Sequence, residues 1–385
     1  YGSIALKAGR RCYNIVIDRQ FVAMESPTAQ RNGAGFHPCQ GLYYTQQGES
    51  PTTAFIATHY NVDFSEHYLG EFLAERGFGF LGWNTRFRGN EAFFLLEHAL
   101  VDIGVGVRWL KEVAGVDNIV LLGNSGGGSL MAAYQSQAID PILEATPGLK
   151  MPDSAKELLP GDYYISLCSH AGRPEVLTDW MDPSLVDERD PSSIDQSLNM
   201  YNPENGPPYS TKFINKYRNA QKARNHRITD WCYAELARLK ELGFFDRAFN
   251  MYRTWADLRL MDGEIDPSDR IVGLCYAGDP MRSNFSPRGI GLNNTIRTWL
   301  SMWSLKSASC RGTNHLPKIT IPALVMQTLG DTGVFPSDAR GIYDLLGSED
   351  KTIEFTQGDH YLTTPTDARD RHADLITRWL AQRLA

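Results

Sequence analysis

Residues 118–128, NIVLLGNSGGG, limit the fold more tightly than any other stretch: an apolar run that reads as a buried strand ends abruptly in small residues, and MAAYQSQA, which reads as a helix, follows at once. Strand, sharp turn and helix in such quick succession belong to an α/β arrangement, in which helices pack back onto the sheet. Small residues at 123 and 127 leave room for the bend, and Ser125 sits at its tip in a backbone conformation that such a turn strains. The following helix directs its N-terminal N–H groups toward negative charge developing beside that hydroxyl. Gly123, Asn124, Ser125, Gly126 and Gly127 together satisfy G-x-S-x-G. A phosphate loop does not fit, because GNSGGGSL carries no lysine and its spacing is not G-x-G-x-x-G.

The front of the chain has the same alternation. RCYNIVIDRQFVAME and GLYYTQQG predict antiparallel strands, and TTAFIATH predicts a buried strand. SEHYLGEFLAERG predicts a helix closed by Gly77. FGFLGWNT, HALVDIGVGVRWLKEV and NIVLLGNS then predict strand, helix and strand, a rhythm that implies a mostly parallel sheet covered on both faces. Between residues 141 and 300 the texture changes to Pro-, Asp- and Asn-rich segments and then to helical TKFINKYRNAQKARNHRITDWCYAELARLKELG. Within that span only DYYISLCSH, near 163–168, reads as a core strand; the rest is expected to be a mainly helical cap or lid. The α/β rhythm returns in KITIPALVMQTLGD, DARGIYDLLG, KTIEFTQGDHYL and ADLITRWLAQRL. The expected division is therefore a core of residues 1–140 and 301–385 with a cap over 141–300.

Composition narrows the partners. The chain has 385 residues and a formal net charge of -7, which gives no electrostatic footprint for nucleic acid or an anionic membrane. No run approaches the roughly 18 apolar residues of a membrane span. Six cysteines without CxxC spacing suggest buried free thiols rather than a zinc site or a disulfide framework. A small-molecule substrate is the expected partner; the oligomeric state, homodimer or otherwise, is not readable. A cytoplasmic location is expected, with a removed signal peptide as the alternative because the first residue is Tyr1.

A serine hydroxyl needs a base, and the base needs an orienting acid. His360 follows the last predicted strand and Asp331 follows the one before it, at the strand ends where parallel sheets place ligands. The order Ser125, Asp331, His360 is that of one particular fold. The competitors have simpler uses: Asp359 adjoins the histidine it would orient, Asp338 caps the next helix, and His315 precedes its strand. Arg86 and Arg88 are expected to fix loops.

With these three residues in place, the chain resembles the α/β-hydrolase fold superfamily, in particular its serine esterases with a large cap, over about residues 40–140 and 315–385. The resemblance implies Ser125 as nucleophile, Asp331 as acid and His360 as base. It also implies an oxyanion hole, one donor being the N–H of Gly126. The second donor comes in such enzymes from the loop after the third strand, usually HG-x. Here that loop reads His59, Tyr60, Asn61, so the glycine is replaced, and Asn61 or Tyr60 is left as the donor, by backbone N–H or through the Tyr60 hydroxyl. For His59 a structural hydrogen bond beneath the loop is the simpler expectation. His59, Asn124, His170 and, from the cap, Tyr217 and Arg224 are candidates for substrate contact; Tyr217, Gln221 and Arg224 share one helical face. Cap aromatics such as Trp180, Tyr209, Phe213 and Tyr217 suggest a roofed, partly apolar pocket.

The expected activity is hydrolysis of a carboxylic ester of a medium-sized organic substrate through an acyl-enzyme. Neither a cofactor nor a metal is called for, and no HExxH spacing is present. A carbon–carbon bond hydrolase, lactonase, amidase or acyltransferase on the same fold is the alternative, and a non-catalytic binding protein is a more distant one.

Overall fold

The computed structural model describes residues 15–28 and 35–384. Its strands are β1 (Ile17–Met24), β2 (Cys39–Gln46), β3 (Thr53–Ala57), β4 (Gly79–Asn84), β5 (Asn118–Asn124), β6 (Tyr163–Leu167), β7 (Ala248–Asn250), β8 (Asn293–Thr295), β9 (Ala323–Thr328) and β10 (Lys351–Thr356). Eight form one sheet in the order β1-β2-β4-β3-β5-β6-β9-β10, while β7 and β8 pair separately. β2 is antiparallel to both neighbours and the other pairings in the sheet are parallel, so β2 alone opposes the rest. The antiparallel pair expected at the front of the chain is β1 with β2; residues 11–14 of the first predicted run lie outside the described residues, as does Cys12.

Burial explains why the parallel strands are mostly apolar runs. Every residue of β3, β4, β6 and β9 is buried, since a sheet covered on both faces encloses the few polar residues, Asn84, Ser166 and Gln327 among them, along with the apolar majority. Alternate residues serve opposite layers. Ile119 and Leu121 of β5 join the core under the helices Leu96–Glu112 and Gly127–Ile139. Val120 and Leu122 join the core under the helices Gly70–Ala74 and Ala368–Ala381. Leu96, Ala99, Leu100, Ile103, Val107 and Leu110 bury one stripe of the first of these helices, at the three- and four-residue spacing of an amphipathic helix. Burying each of the larger side chains is worth about 1.5–3 kcal/mol.

The helix expected from residue 65 to Gly77 is shorter, spanning only Gly70–Ala74. Polar side chains capture the backbone donors that would have begun it. Phe64 N–H donates to Asn84 Oδ1 at 2.8 Å, Ser65 N–H to Asp63 Oδ1 at 2.8 Å and Leu69 N–H to His67 Nδ1 at 3.3 Å. The predicted stop holds: Gly77 takes φ +85°, which only glycine adopts without strain.

Residues 168–322, between β6 and β9, carry the helix Arg173–Trp180, the 31-residue helix Thr211–Glu241 and the β7/β8 pair. Ser210 caps the long helix by accepting from Phe213 N–H at 3.2 Å. A buried ion pair ties the segment together. Asp182 Oδ2 accepts from Arg253 Nε at 2.9 Å and Nη2 at 2.6 Å and from Asn284 Nδ2 at 2.8 Å, while Oδ1 accepts from Ser184 Oγ at 2.6 Å. Asp182→Ala leaves the Arg253 charge buried without its partner, and should cost about 3–5 kcal/mol of stability. Urea unfolding followed by tryptophan fluorescence measures it; a loss below about 1 kcal/mol would show that the pair does not hold the cap.

The five described cysteines are free and buried. No helix among the described residues is long and apolar enough to cross a membrane.

Candidate active site

Ser125 lies between β5 and the helix Gly127–Ile139 with φ +57°, a left-handed conformation that a non-glycine residue holds at a cost of about 1–3 kcal/mol. Hydrogen bonds to the neighbouring strand end keep it there. Ser125 N–H donates to Leu167 O at 3.1 Å, and His170 N–H donates to Ser125 O at 3.3 Å.

Steric contact accounts for each glycine around it. A Cβ on Gly123 would stand 2.6 Å from Gly128 Cα, one on Gly127 would overlap the Thr58 carbonyl oxygen, and one on Gly128 would stand 2.5 Å from Ser169 Cβ. The glycine at 128, which G-x-S-x-G does not require, thus lets the helix approach the segment after β6. Ser129 hydrogen-bonds to the Tyr60 hydroxyl at 3.0 Å. Because the atoms facing Gly123 are backbone, a side chain there cannot be accommodated by a rotamer change. Gly123→Ala should destabilise the protein by about 1–3 kcal/mol and lower activity with it. A thermal melt and an ester assay check this, and an unchanged melting temperature would refute the packing argument.

Asp331 follows β9 and His360 follows β10. His360 Nδ1–H donates to Asp331 Oδ2 at 2.6 Å, both groups being buried. The other carboxylate oxygen, Oδ1, accepts from Gly333 N–H at 2.9 Å, Val334 N–H at 3.0 Å and the Tyr276 hydroxyl at 2.7 Å. Tyr276 also lies 2.9 Å from His360 Nδ1, with its ring centroid 4.5 Å from the imidazole's. Burial and the Asp331 charge push the Tyr276 hydroxyl well above its ordinary pKa, so it stays a donor. Sequence reasoning missed Tyr276. It comes from a cap loop 55 residues before Asp331, and no local motif marks it; the one trace is Gly333, whose Cβ would overlap the tyrosine ring.

Ser125 and His360 open onto one cavity of about 350 Å³. His59, Asn61 and Asn124 line it from the ends of β3 and β5, and His170, Arg173, Trp180, Trp255, Tyr276 and Ile290 line it from the segment between β6 and β9. Asn124 has its amide committed: Oδ1 accepts from His67 Nε2 at 3.3 Å and Nδ2 donates to Leu167 O at 2.9 Å. His59 and His170 are held well below the ordinary histidine pKa, first by burial and then by the Arg173 charge, and are neutral. Among the described residues, Arg173 is the one Lys or Arg lining the cavity. Its Nη2 pairs with Glu91 at 2.7 Å, and its guanidinium packs over the rings of Tyr60 and Trp303. Sequence reasoning passed over it, and its place at the start of a cap helix gives no sign of its contact with the core.

Several expected contacts are corrected. Tyr217 and Arg224 do not line the cavity. The Tyr217 hydroxyl donates to Ala256 O at 2.7 Å, and Arg224 pairs with Glu188 at 2.8 and 2.6 Å and donates to the carbonyls of Asp182 and Tyr252. Their shared helical face holds the cap to itself. Tyr209, Phe213 and Tyr217 likewise form a cluster inside the cap, whereas Trp180 does reach the cavity. Tyr60 is fully buried outside the cavity lining, its hydroxyl 3.0 Å from Ser129 Oγ, so the hydroxyl does not face Ser125 as an oxyanion donor would.

The competitors take other work. Asp359 accepts from Tyr361 N–H at 2.8 Å and Thr363 N–H at 3.1 Å, Asp338 from Phe335 N–H at 2.9 Å at a helix start, and His315 Nε2 bonds to Ser309 O at 2.7 Å. Arg86 fixes loops, with Asp102, Ser26 and Thr28 as partners.

No family model matches the chain, and neither does any curated protein. Among solved structures it is similar to DcsB in complex with its substrate analogue, at 12% identity and a TM-score of 0.51, with 96% of this chain and 100% of that one covered. It is also similar to the α/β hydrolase GrgF from Penicillium sp. sh18, at 13% identity and a TM-score of 0.50, with 94% and 99% covered. Such identities speak for the fold alone. Taken with the strand order, the reversed β2 and the left-handed turn after β5, they show that the chain has the α/β-hydrolase fold.

Proposed function

We propose that the protein is a serine hydrolase that cleaves a carboxylic ester of a medium-sized organic molecule through an acyl-enzyme. The observation that carries this reading is that Ser125, held left-handed at a strand–helix turn, shares one cavity with a histidine whose Nδ1–H is bound by a buried aspartate. That bond leaves Nε2 of His360 as the unprotonated nitrogen, which is the tautomer a general base needs.

Ser125 Oγ attacks the ester carbonyl while His360 Nε2 takes its proton, and Asp331 stabilises the imidazolium. The carbonyl electron pair moves onto oxygen, where Gly126 N–H receives it. The C–O bond to the alcohol then breaks, and His360 returns the proton to the leaving oxygen. Water, deprotonated by the same histidine, attacks the acyl-enzyme, and the acid leaves as Ser125 regains its proton. In the present conformation Ser125 Oγ makes no hydrogen bond to His360; such contacts commonly tighten only in the substrate complex.

The cavity volume and the Trp180, Trp255 and Ile290 walls support a compact, partly apolar substrate rather than a polymer. The test is a fluorophosphonate probe followed by peptide mapping, with a panel of esters, amides, lactones and β-diketones. Labelling at Ser125 and preferred ester turnover are expected. Failure to label the folded protein would remove the nucleophile, and diketone cleavage without ester turnover would change the bond.

A further inference from the structure

The loop after β3 offers its second donor in an unexpected way. Asn61 N–H points at His59 Nδ1 at 3.4 Å, and Val62 N–H reaches the same nitrogen at 3.3 Å. The backbone donor expected at residue 61 is thus turned onto the His59 ring. A ring nitrogen that accepts two N–H groups is the unprotonated one, so the single proton of the neutral imidazole sits on Nε2. Nε2 has no acceptor among the described residues, yet it is not fully enclosed, and His59 lines the cavity. It stands 2.8 Å from the point a Cβ on Gly126 would occupy. Nε2–H therefore faces the same patch of cavity as Gly126, the residue whose own N–H follows the nucleophile.

We propose that the imidazole of His59, through Nε2–H, is the second donor of the oxyanion hole, replacing a loop backbone N–H. The proposal rests on the hydrolase reading above and names a residue that contacts the reacting oxygen. His59 donates a hydrogen bond to the developing O⁻ and transfers no proton. The loop that holds Nδ1 fixes the ring, so the donor is in place before charge develops, which is the condition under which such a group is most effective. Arg173 supports it from the side: Nη1 stands 3.0 Å from the same point beside Gly126, bringing a fixed positive charge close to the oxyanion. That charge, added to burial, also keeps His59 neutral. Gly126 is required because any side chain there would press against Nε2 and Nη1 where the substrate oxygen must sit.

Two substitutions separate donation from loop support. In His59→Asn, Oδ1 can still accept from the N–H groups of residues 61 and 62, but nothing reaches the Nε2 position. In His59→Gln, the side-chain amide nitrogen reaches close to that position. With p-nitrophenyl butyrate as the probe ester, His59→Asn should lower kcat about 10²–10³-fold with KM changed less than about threefold. It should weaken a trifluoromethyl ketone, which forms a hemiketal oxyanion on Ser125, by a similar factor, and His59→Gln should recover part of both. In the wild-type protein, nitrogen-15 NMR should show Nδ1 unprotonated and the Nε2–H proton moving downfield when the ketone binds, a measurement independent of any variant's folding.

A wild type that labels and turns over the ester, with His59→Asn equally active or with an Nε2–H signal that ignores the ketone, overturns this assignment alone. His59→Gln more damaged than His59→Asn does the same, because it would make the loop the purpose of the ring. A wild type that neither labels at Ser125 nor hydrolyses esters overturns the hydrolase reading and this one with it.

Discussion

An alanine at position 125 is expected to cut ester turnover about 10⁶-fold while leaving the fold and ligand affinity unchanged. In the proposed mechanism the rate falls because the attacking oxygen is removed, and the stability holds for two local reasons. Alanine and serine meet the same steric penalty at φ +57°, so the backbone strain is not altered. Ser125 Oγ makes no hydrogen bond among the described residues, so none of those is lost. The proposed oxyanion donors and the cavity remain, and they should leave a residual rate about 10³–10⁴-fold above water. Single-turnover kinetics and calorimetric binding of a product acid check both halves. Activity above one part in about a thousand would mean that another group is the nucleophile.

How far the chain could be read depended on how local each cause is. β3, β5, β6 and β9 are legible because burial on both faces makes each a mostly apolar run. The turn at Ser125 is legible for a related reason: the backbone contacts that exclude a side chain at 123 and 127 come from the chain's own next turn and the adjacent strand end, and they demand glycine. That Asp331 and His360 come together follows from strand ends and chain order. The short helix at Gly70–Ala74 was over-read because propensity and periodicity do not register competition from Asp63, His67 and Asn84 for its first N–H groups.

The cap was least legible. The spacing of Tyr217, Gln221 and Arg224 correctly assigns them to one face of a helix, but spacing cannot say whether that face meets the substrate or the cap's own carbonyls, and it meets the latter. Tyr276 and Arg173 reach the site only through tertiary packing. His59 sits where the HG-x pattern predicts a histidine; its two ring nitrogens acquire separate roles only once the positions of Asn61, Val62 and Gly126 are known.

Replacing Asp331 with asparagine should lower kcat about 10⁴-fold in a protein that still folds. The carboxylate surroundings determine how the amide must sit. Oδ1 is held by three donors, Gly333 N–H, Val334 N–H and the Tyr276 hydroxyl, and the two backbone N–H groups cannot be satisfied by an NH₂ group. The amide oxygen must therefore occupy the Oδ1 place, and the NH₂ must face His360 Nδ1. That nitrogen is then an acceptor, its proton moves to Nε2, and the imidazole can no longer take one from Ser125. Tyr276→Phe makes a graded companion. It removes one of the three donors and the hydroxyl beside Nδ1 but leaves the carboxylate charge, so the loss should match one charge-assisted hydrogen bond, about 1.5–3 kcal/mol or 10- to 100-fold in kcat. Steady-state kinetics on both variants decide the matter. If Tyr276→Phe were as damaging as Asp331→Asn, the tyrosine would be part of the proton path rather than a clamp on the acid. If Asp331→Asn kept more than about a hundredth of the activity, His360 would be oriented by some other group.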